Sequence, residues 1–292
     1  MKLFWNTVGI LTIYVILILS SCNLINPEED IPAYLEIAPF TLTTNLATQG
    51  SASEKITEAW VFIDGVFLGV YDLPATVPVL QAGVTEVTVE AGIRDNGISS
   101  TPEIYPFYEA YEVNLDLVPG ETFNVQPQTQ YLSNTKFALI EDFEDNRPRL
   151  FTQQILGSGE ISLVTADAFE GQYSGFFGLS KENQPILEIS TELAFSELQE
   201  DGVFVYLEVN YRSDAPVLWG IVGETDAITG LERYYGSGFT PKAEWNKIYF
   251  NLSQSIFDSQ LDEFQVGLQA FLRVEDPDTA NVYLDNIKLV HF

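Results

Sequence analysis

The sequence predicts an all-β protein made of two consecutive sandwich-like units, and three observations carry that prediction. Apolar residues recur with period two from Ala33 onward, as in "YEVNLDL", where Tyr111, Val113, Leu115 and Leu117 alternate with Glu112, Asn114 and Asp116. Turn-forming dipeptides, Asp64-Gly65, Asn96-Gly97 and Pro119-Gly120, punctuate the apolar runs, so that strands recur about every 8–12 residues. No segment after Ala33 shows a convincing helical period. The chain has 292 residues, more than the roughly 100–200 of one typical domain, which gives two units their own cores.

The first element precedes the fold. Lys2 is followed by "VGILTIYVILIL" from Val8 to Leu19 and then by small residues, the layout of a secretory leader rather than of a long membrane span. The tetrapeptide "LSSC", Leu19 to Cys22, resembles the lipobox of bacterial lipoproteins. That resemblance implies cleavage before Cys22, a diacylglyceryl group on its sulfur and acylation of the new amine. Two or more acyl chains anchor stably where one does not. Cys22 is the only cysteine, so the chain forms no internal disulfide. Residues 22–32, with "NLINPEEDIP" after the cysteine, read as a tether, and ten such residues reach at most about 33–36 Å. Acids shortly after the cysteine resemble the surface-export signal of Bacteroidetes-type lipoproteins. The expected location is an outer-membrane lipid anchor, on the periplasmic or the cell-surface side, with the membrane as a partner.

Residues 33–132 form the next unit. "AWVFIDGVFLGVYDLP" holds two β-rich runs joined at Asp64-Gly65, and "VTVEA" sets Val87, Val89 and Ala91 against Thr88 and Glu90. The stretch Trp60 to Gly92, with Asp64, Gly65, Gly69, Pro74 and Gly83 in place, resembles the PEGA-like β-sandwich modules. It implies an immunoglobulin-like sandwich and no chemistry. The long insert "IRDNGISSTPEIYPFYEAY" departs from that pattern.

Residues 136–292 follow after a junction at "YLSNT", Tyr131 to Thr135, which reads as a cleavable linker between separable domains. About nine strand-like runs, among them "SGFFGLS", "VFVYLEVNY" and "WNKIYFNLS", fit a jelly roll. Opening on "DFE" and closing on "YLDNIKL", this segment resembles the galactose-binding-like jelly rolls that include many carbohydrate-binding modules.

Composition excludes several functions. The formal charge of −29 repels nucleic acid. His291 is the only histidine, which removes Ser-His and Cys-His catalysis and His-rich metal sites, and no phosphate-binding glycine loop follows a strand. No carboxylate pair stands out for glycoside hydrolysis. A non-catalytic protein is expected.

Two candidate sites remain. In "NVYLDNIKL", Asp285 falls in phase with Ile287 and Leu289, and a buried carboxylate needs a partner. Asp142 and Glu144 are in phase with Ile140, and calcium wants six to eight oxygens. In the resembled modules a structural calcium often bridges the first and last strands, which maps onto Asp142, Glu144 and Asp285; the alternative is that these acids cap turns or pair with Arg147 or Arg149. Glycan binding needs flat aromatic rings beside polar groups. Tyr211, Arg212, Trp219, Tyr234 and Tyr235, with Asp214 and Arg233, are the candidates, whereas Trp245 reads as a core anchor. The expected function is a lipid-anchored glycan-binding module; the alternative is an accessory subunit that docks on an outer-membrane or secretion assembly through its first sandwich.

Overall fold

The structure, a computed structural model, describes residues 29–144, 148–198, 204–224 and 230–292; Cys22 and the lipobox lie outside them. Every sheet is built from one half of the chain. The first half supplies β1 (Ala33–Ile37), β2 (Thr41–Thr43), a helical turn α1 (Leu46–Gln49), β3 (Glu58–Ile63), β4 (Val66–Asp72), β5 (Ala75–Val79), β6 (Gly83–Arg94), β7 (Pro102–Ile104), β8 (Tyr111–Leu117), β9 (Thr122–Val125) and β10 (Gln128–Gln130). One layer runs β4-β3-β6-β7, with β8 also on β6; β5-β1-β9 and the β2–β10 pair lie opposite. The β3–β4 turn is the one the sequence asks for. Asp64 and Gly65 both take positive φ, 47° and 74°, and Ile63 pairs with Val66. On β6 the alternation holds as well: Val87, Val89 and Ala91 are buried.

The second half supplies β11 (Lys136–Glu141), β12 (Phe151–Leu156), β13 (Ser162–Val164), β14 (Ser174–Ser180), β15 (Ile186–Thr191), β16 (Val205–Ser213), β17 (Val217–Glu224), β18 (Leu231–Phe239), β19 (Lys242–Asn251), a short helix α2 (Ser253–Ser259), β20 (Gln265–Phe271) and β21 (Thr279–His291). Sheet β13-β14-β21-β16-β19, with β11 on β21, packs against sheet β12-β15-β20-β17-β18. Trp219, Leu207, Phe250, Leu268 and Leu284 fill the space between them without exposure.

A bulge in β21 corrects the strand phase read from the sequence. The register with β16 shifts between Glu208 and Asn210, and Asn286 adopts a φ of 46°. Val282 and Leu284 face the sandwich core before the bulge, and Ile287 and Leu289 face it afterwards. Asp285 is therefore not in phase with Ile287 and Leu289. It shares the outer face with Tyr283, and beyond the bulge that face continues through Lys288 and Val290.

The first unit covers half of this outer face. Tyr206, Tyr249 and Val290 join the apolar core of the first unit. Tyr105 lies 5.3 Å from Tyr206 and 4.9 Å from Tyr249, and Phe107 lies 4.7 Å from Phe292. Tyr105 and Phe107 belong to the insert that departs from the PEGA-like pattern, so the departure is the joint between the halves.

Charges are locked into the same joint. Glu208 is fully buried and receives Lys247 Nζ at 2.6 Å and the hydroxyls of Tyr105 and Tyr131, each at 2.7 Å. Lys247 also donates to the carbonyl of Ser53, and Lys288 donates to that of Ser51, both at 2.6 Å. Burial alone would raise the Glu208 pKa; the ammonium groups of Lys247 and Lys288 and the hydrogen bonds overcome it, and the net direction is downward. Burial pushes Lys288 down to about 8. The junction at Tyr131–Thr135 is thus not the open linker expected: Ser133 and Asn134 are exposed, but Tyr131 is a buried anchor.

Candidate functional site

The uncovered half of the outer face carries one large side chain from each of four adjacent strands. Phe176 on β14 pairs in register with Tyr283 on β21, and Tyr283 pairs with Arg212 on β16. Trp245 on β19 completes the row, since its neighbour Asn246 pairs with Tyr211. At about 4.8 Å per strand the row spans roughly 15 Å. All four side chains are partly exposed. Phe176 and Tyr283 have ring centroids 5.0 Å apart, and Trp245 stands 6.5 Å from Tyr283. The Arg212 guanidinium sits 4.3 Å above the Tyr283 ring and makes a bidentate bond to Asp167 at 2.8 and 2.7 Å. Phe169, 39% exposed, leans on Trp245 at 5.6 Å. Flat rings beside a fixed charged pair suit a sugar, whose C–H faces lie on rings while its hydroxyls need donors and acceptors.

Asp285 holds the loop that ends this row. Its Oδ2 accepts from the backbone N–H of Phe169 at 3.2 Å and of Glu170 at 3.3 Å, and its Oδ1 accepts from Asn286 N–H at 2.8 Å. Burial pushes its carboxyl up to about 7, against the pull of these amides. The folded pKa lies above the usual 3.8, so the folded state holds more protons between the two values and stability from this group falls as pH rises from about 4 to 7. Replacing Asp285 by Asn removes that slope. Thermal melts across this range should show wild type losing stability relative to Asp285→Asn, by roughly 1–4 kcal/mol; parallel curves would mean the carboxylate stays ionised throughout.

The calcium reading does not fit these residues. Asp142 Oδ1 accepts from the N–H of Glu144 at 3.2 Å, and Glu144 Oε1 accepts from Gln172 and Tyr173 at 2.7 and 3.2 Å. They cap turns. The acid turned inward on β11 is Glu141, bound to the N–H groups of Phe143 and Leu150. Among the described residues no group of three or more His, Cys, Asp or Glu side chains could hold a metal ion.

Of the residues proposed from sequence, only Arg212 lies in the aromatic row. Trp219 is fully buried, edge-on to Phe151 at 5.7 Å, because its side of β17 faces the opposing sheet. Tyr211 points into the sandwich and stacks on Phe239 at 3.7 Å. Tyr234 and Tyr235 stand on the opposite sheet, donating to Glu232 at 2.5 Å and to Glu188 at 3.0 Å; Arg233 also binds Glu188, and Asp214 accepts from Asn281 N–H. Phe176 and Tyr283 were missed: period two alone groups Tyr283 with Ile287 and Leu289, and only the structure sets each of the two on the face opposite to its buried neighbour, Phe177 or Leu284.

A second concavity of about 320 Å³ opens beside the joint, lined by Lys55, Arg94, Lys242 and Asn246 with the edges of Tyr211 and Phe239. Arg94 binds Glu58 at 2.9 Å, while Lys55 donates to Asn246 Oδ1 at 2.5 Å. Burial, with Arg94 and Lys242 nearby, lowers the Lys55 pKa. A positive pocket on so acidic a molecule suits a carboxylate-bearing ligand.

No protein-family model matches the chain, and no curated protein matches it. Among solved structures, several carbohydrate-binding modules are similar to it. One, from work on the promiscuous specificity of such modules, aligns over 80% of this chain and 84% of its own, with 14% identity and a TM-score of 0.38. A family 29 module complexed with mannohexaose aligns over 54% of this chain and 92% of its own, with 12% identity and a TM-score of 0.35. Another from that family, complexed with cellulohexaose, covers 55% and 92%, with 13% identity and a TM-score of 0.33.

Proposed function

We propose that this protein is a lipid-anchored, non-catalytic glycan-binding lipoprotein of the outer membrane, held through Cys22 and related to Bacteroidetes-type lipoproteins, with a PEGA-like first unit carrying a jelly roll. The row Phe176–Tyr283–Arg212–Trp245 carries the glycan reading: three partly exposed rings and a guanidinium, one from each of four neighbouring strands, form a platform long enough for a short oligosaccharide. The anchor reading rests on the lipobox, and metabolic labelling with an alkynyl fatty acid tests it; undiminished label in Cys22→Ala would sink it.

The glycan reading is tested by calorimetry on residues 23–292 against neutral and uronate-containing oligosaccharides. Trp245→Ala and Tyr283→Ala should each weaken binding about 10- to 30-fold, the loss of roughly 1.4–2 kcal/mol expected for an aromatic anchor. Binding that survives the double substitution would move the site elsewhere, and the cationic pocket is then the place to look. A second reading, an accessory subunit docking through its first sandwich, draws on the apolar residues exposed at one end of that unit; pulldown from intact envelopes separates the two.

A further inference from the structure

We infer that the apolar end of the first unit rests on the lipid bilayer, so that the first unit stands upright as a spacer beneath the glycan-binding sheet; this rests on the reading of Cys22 as a lipid anchor. The end is built from chain segments far apart in sequence. At the tip of the β3–β4 hairpin, Val66, Phe67 and Leu68 are 70%, 50% and 40% exposed; in the β5–β6 connection and at the start of β6, Leu80 and Val84 are 70% and 78% exposed. Such residues scattered singly need no account, but a cluster at one end does. Asp64 ties the two segments, accepting from Glu86 N–H at 2.9 Å and from the side chain of Gln81.

The chain leading back to Cys22 enters at this same end. Ala33 pairs with Val79, Pro32 accepts from Gly120 N–H at 2.9 Å, and Ile31 is 65% exposed. Only residues 23–30 separate Ile31 from the cysteine, a reach of at most about 30 Å when extended. Acyl chains on Cys22 therefore keep this end near the membrane, whichever way the tether bends.

The opposite end of β6 meets the second unit: Asn96 N–H donates to the carbonyl of Tyr249 at 2.9 Å, just past Arg94. From Gly83 to Arg94, β6 covers 12 residues, or roughly 35–40 Å at about 3.3 Å each. The apolar end and the second unit thus sit at the two ends of one strand. Charge selects the lipid. Between residues 29 and 130 the only cations are Lys55 and Arg94, both at the far end, while Asp64, Glu86 and Glu121 surround the apolar one. A zwitterionic surface suits this composition and an anionic one does not.

The test uses the lipidated protein in phosphatidylcholine vesicles, with a fluorophore on Leu80→Cys or, as a control on the second unit, on the exposed Leu193→Cys. Flotation reports anchoring, and quenching by nitroxide-labelled acyl chains reports insertion. Flotation with quenching at position 80 and not at 193 is the expected result. Flotation without quenching at position 80 overturns the inference and leaves the anchor standing. Failure to float removes the anchor reading instead. Residues 23–292 with an N-terminal histidine tag on nickel-chelating vesicles then decide the matter: quenching keeps the inference, and none overturns it. A lipid-free dimer that shields position 80 without vesicles would assign the end to a second copy and overturn it also.

Discussion

Lys247→Ala is expected to destabilise the whole chain by about 3–5 kcal/mol, because it strands the Glu208 carboxylate in a site with no exposure. For a protein of this size each kcal/mol moves Tm by roughly 2–4 °C, so a fall of about 6–20 °C should appear in calorimetry. The loss will not be local. Glu208 belongs to the second unit, but the tyrosine hydroxyls that complete its shell, and the Ser53 carbonyl that also holds Lys247, come from the first unit and from Tyr131 at the start of the junction. Both halves should therefore melt in one transition, and limited proteolysis at Ser133–Asn134 should leave the fragments associated. Glu208→Leu combined with Lys247→Met should cost less than the sum of the single changes, since no lone carboxylate remains. Two separate transitions in wild type, or a loss below about 1 kcal/mol, would show that the joint is only a contact between independent domains.

Trp219→Ala and Trp245→Ala should behave as opposites. Trp219 is wholly enclosed, within stacking distance of Phe250 at 6.4 Å, and its removal leaves a cavity that costs about 3–5 kcal/mol. Where the variant remains folded, its glycan affinity should be unchanged. Trp245 is partly exposed, tilted against Phe169 at 5.6 Å and edge-on to Tyr283 at 6.5 Å, so its loss should cost about 1 kcal/mol or less of stability while lowering affinity. Denaturant melts and calorimetric titrations on the same two proteins decide it. Affinity lost with Trp219 at full stability, and retained without Trp245, would reverse the assignment.

The sequence by itself determined the all-β class, the Asp64-Gly65 hairpin and the inward phase of β6, because each depends on a period or a turn within a few residues. It could not place the site. Telling Trp219 from Trp245 requires knowing that Trp219 faces the space between the two sheets while Trp245 lies on the outer face beyond the cover of the first unit, a matter of how the layers stack. The side to which Asp285 turns required the bulge at Asn286, one residue that reverses every side chain after it on β21. The joint was equally hidden. Glu208, Lys247 and Lys288 look like ordinary strand residues until the insert at residues 93–111, with Tyr105, and other segments of the first unit close over them. Burial of a charge is decided by what packs on top of it, and that information comes from the other half of the chain.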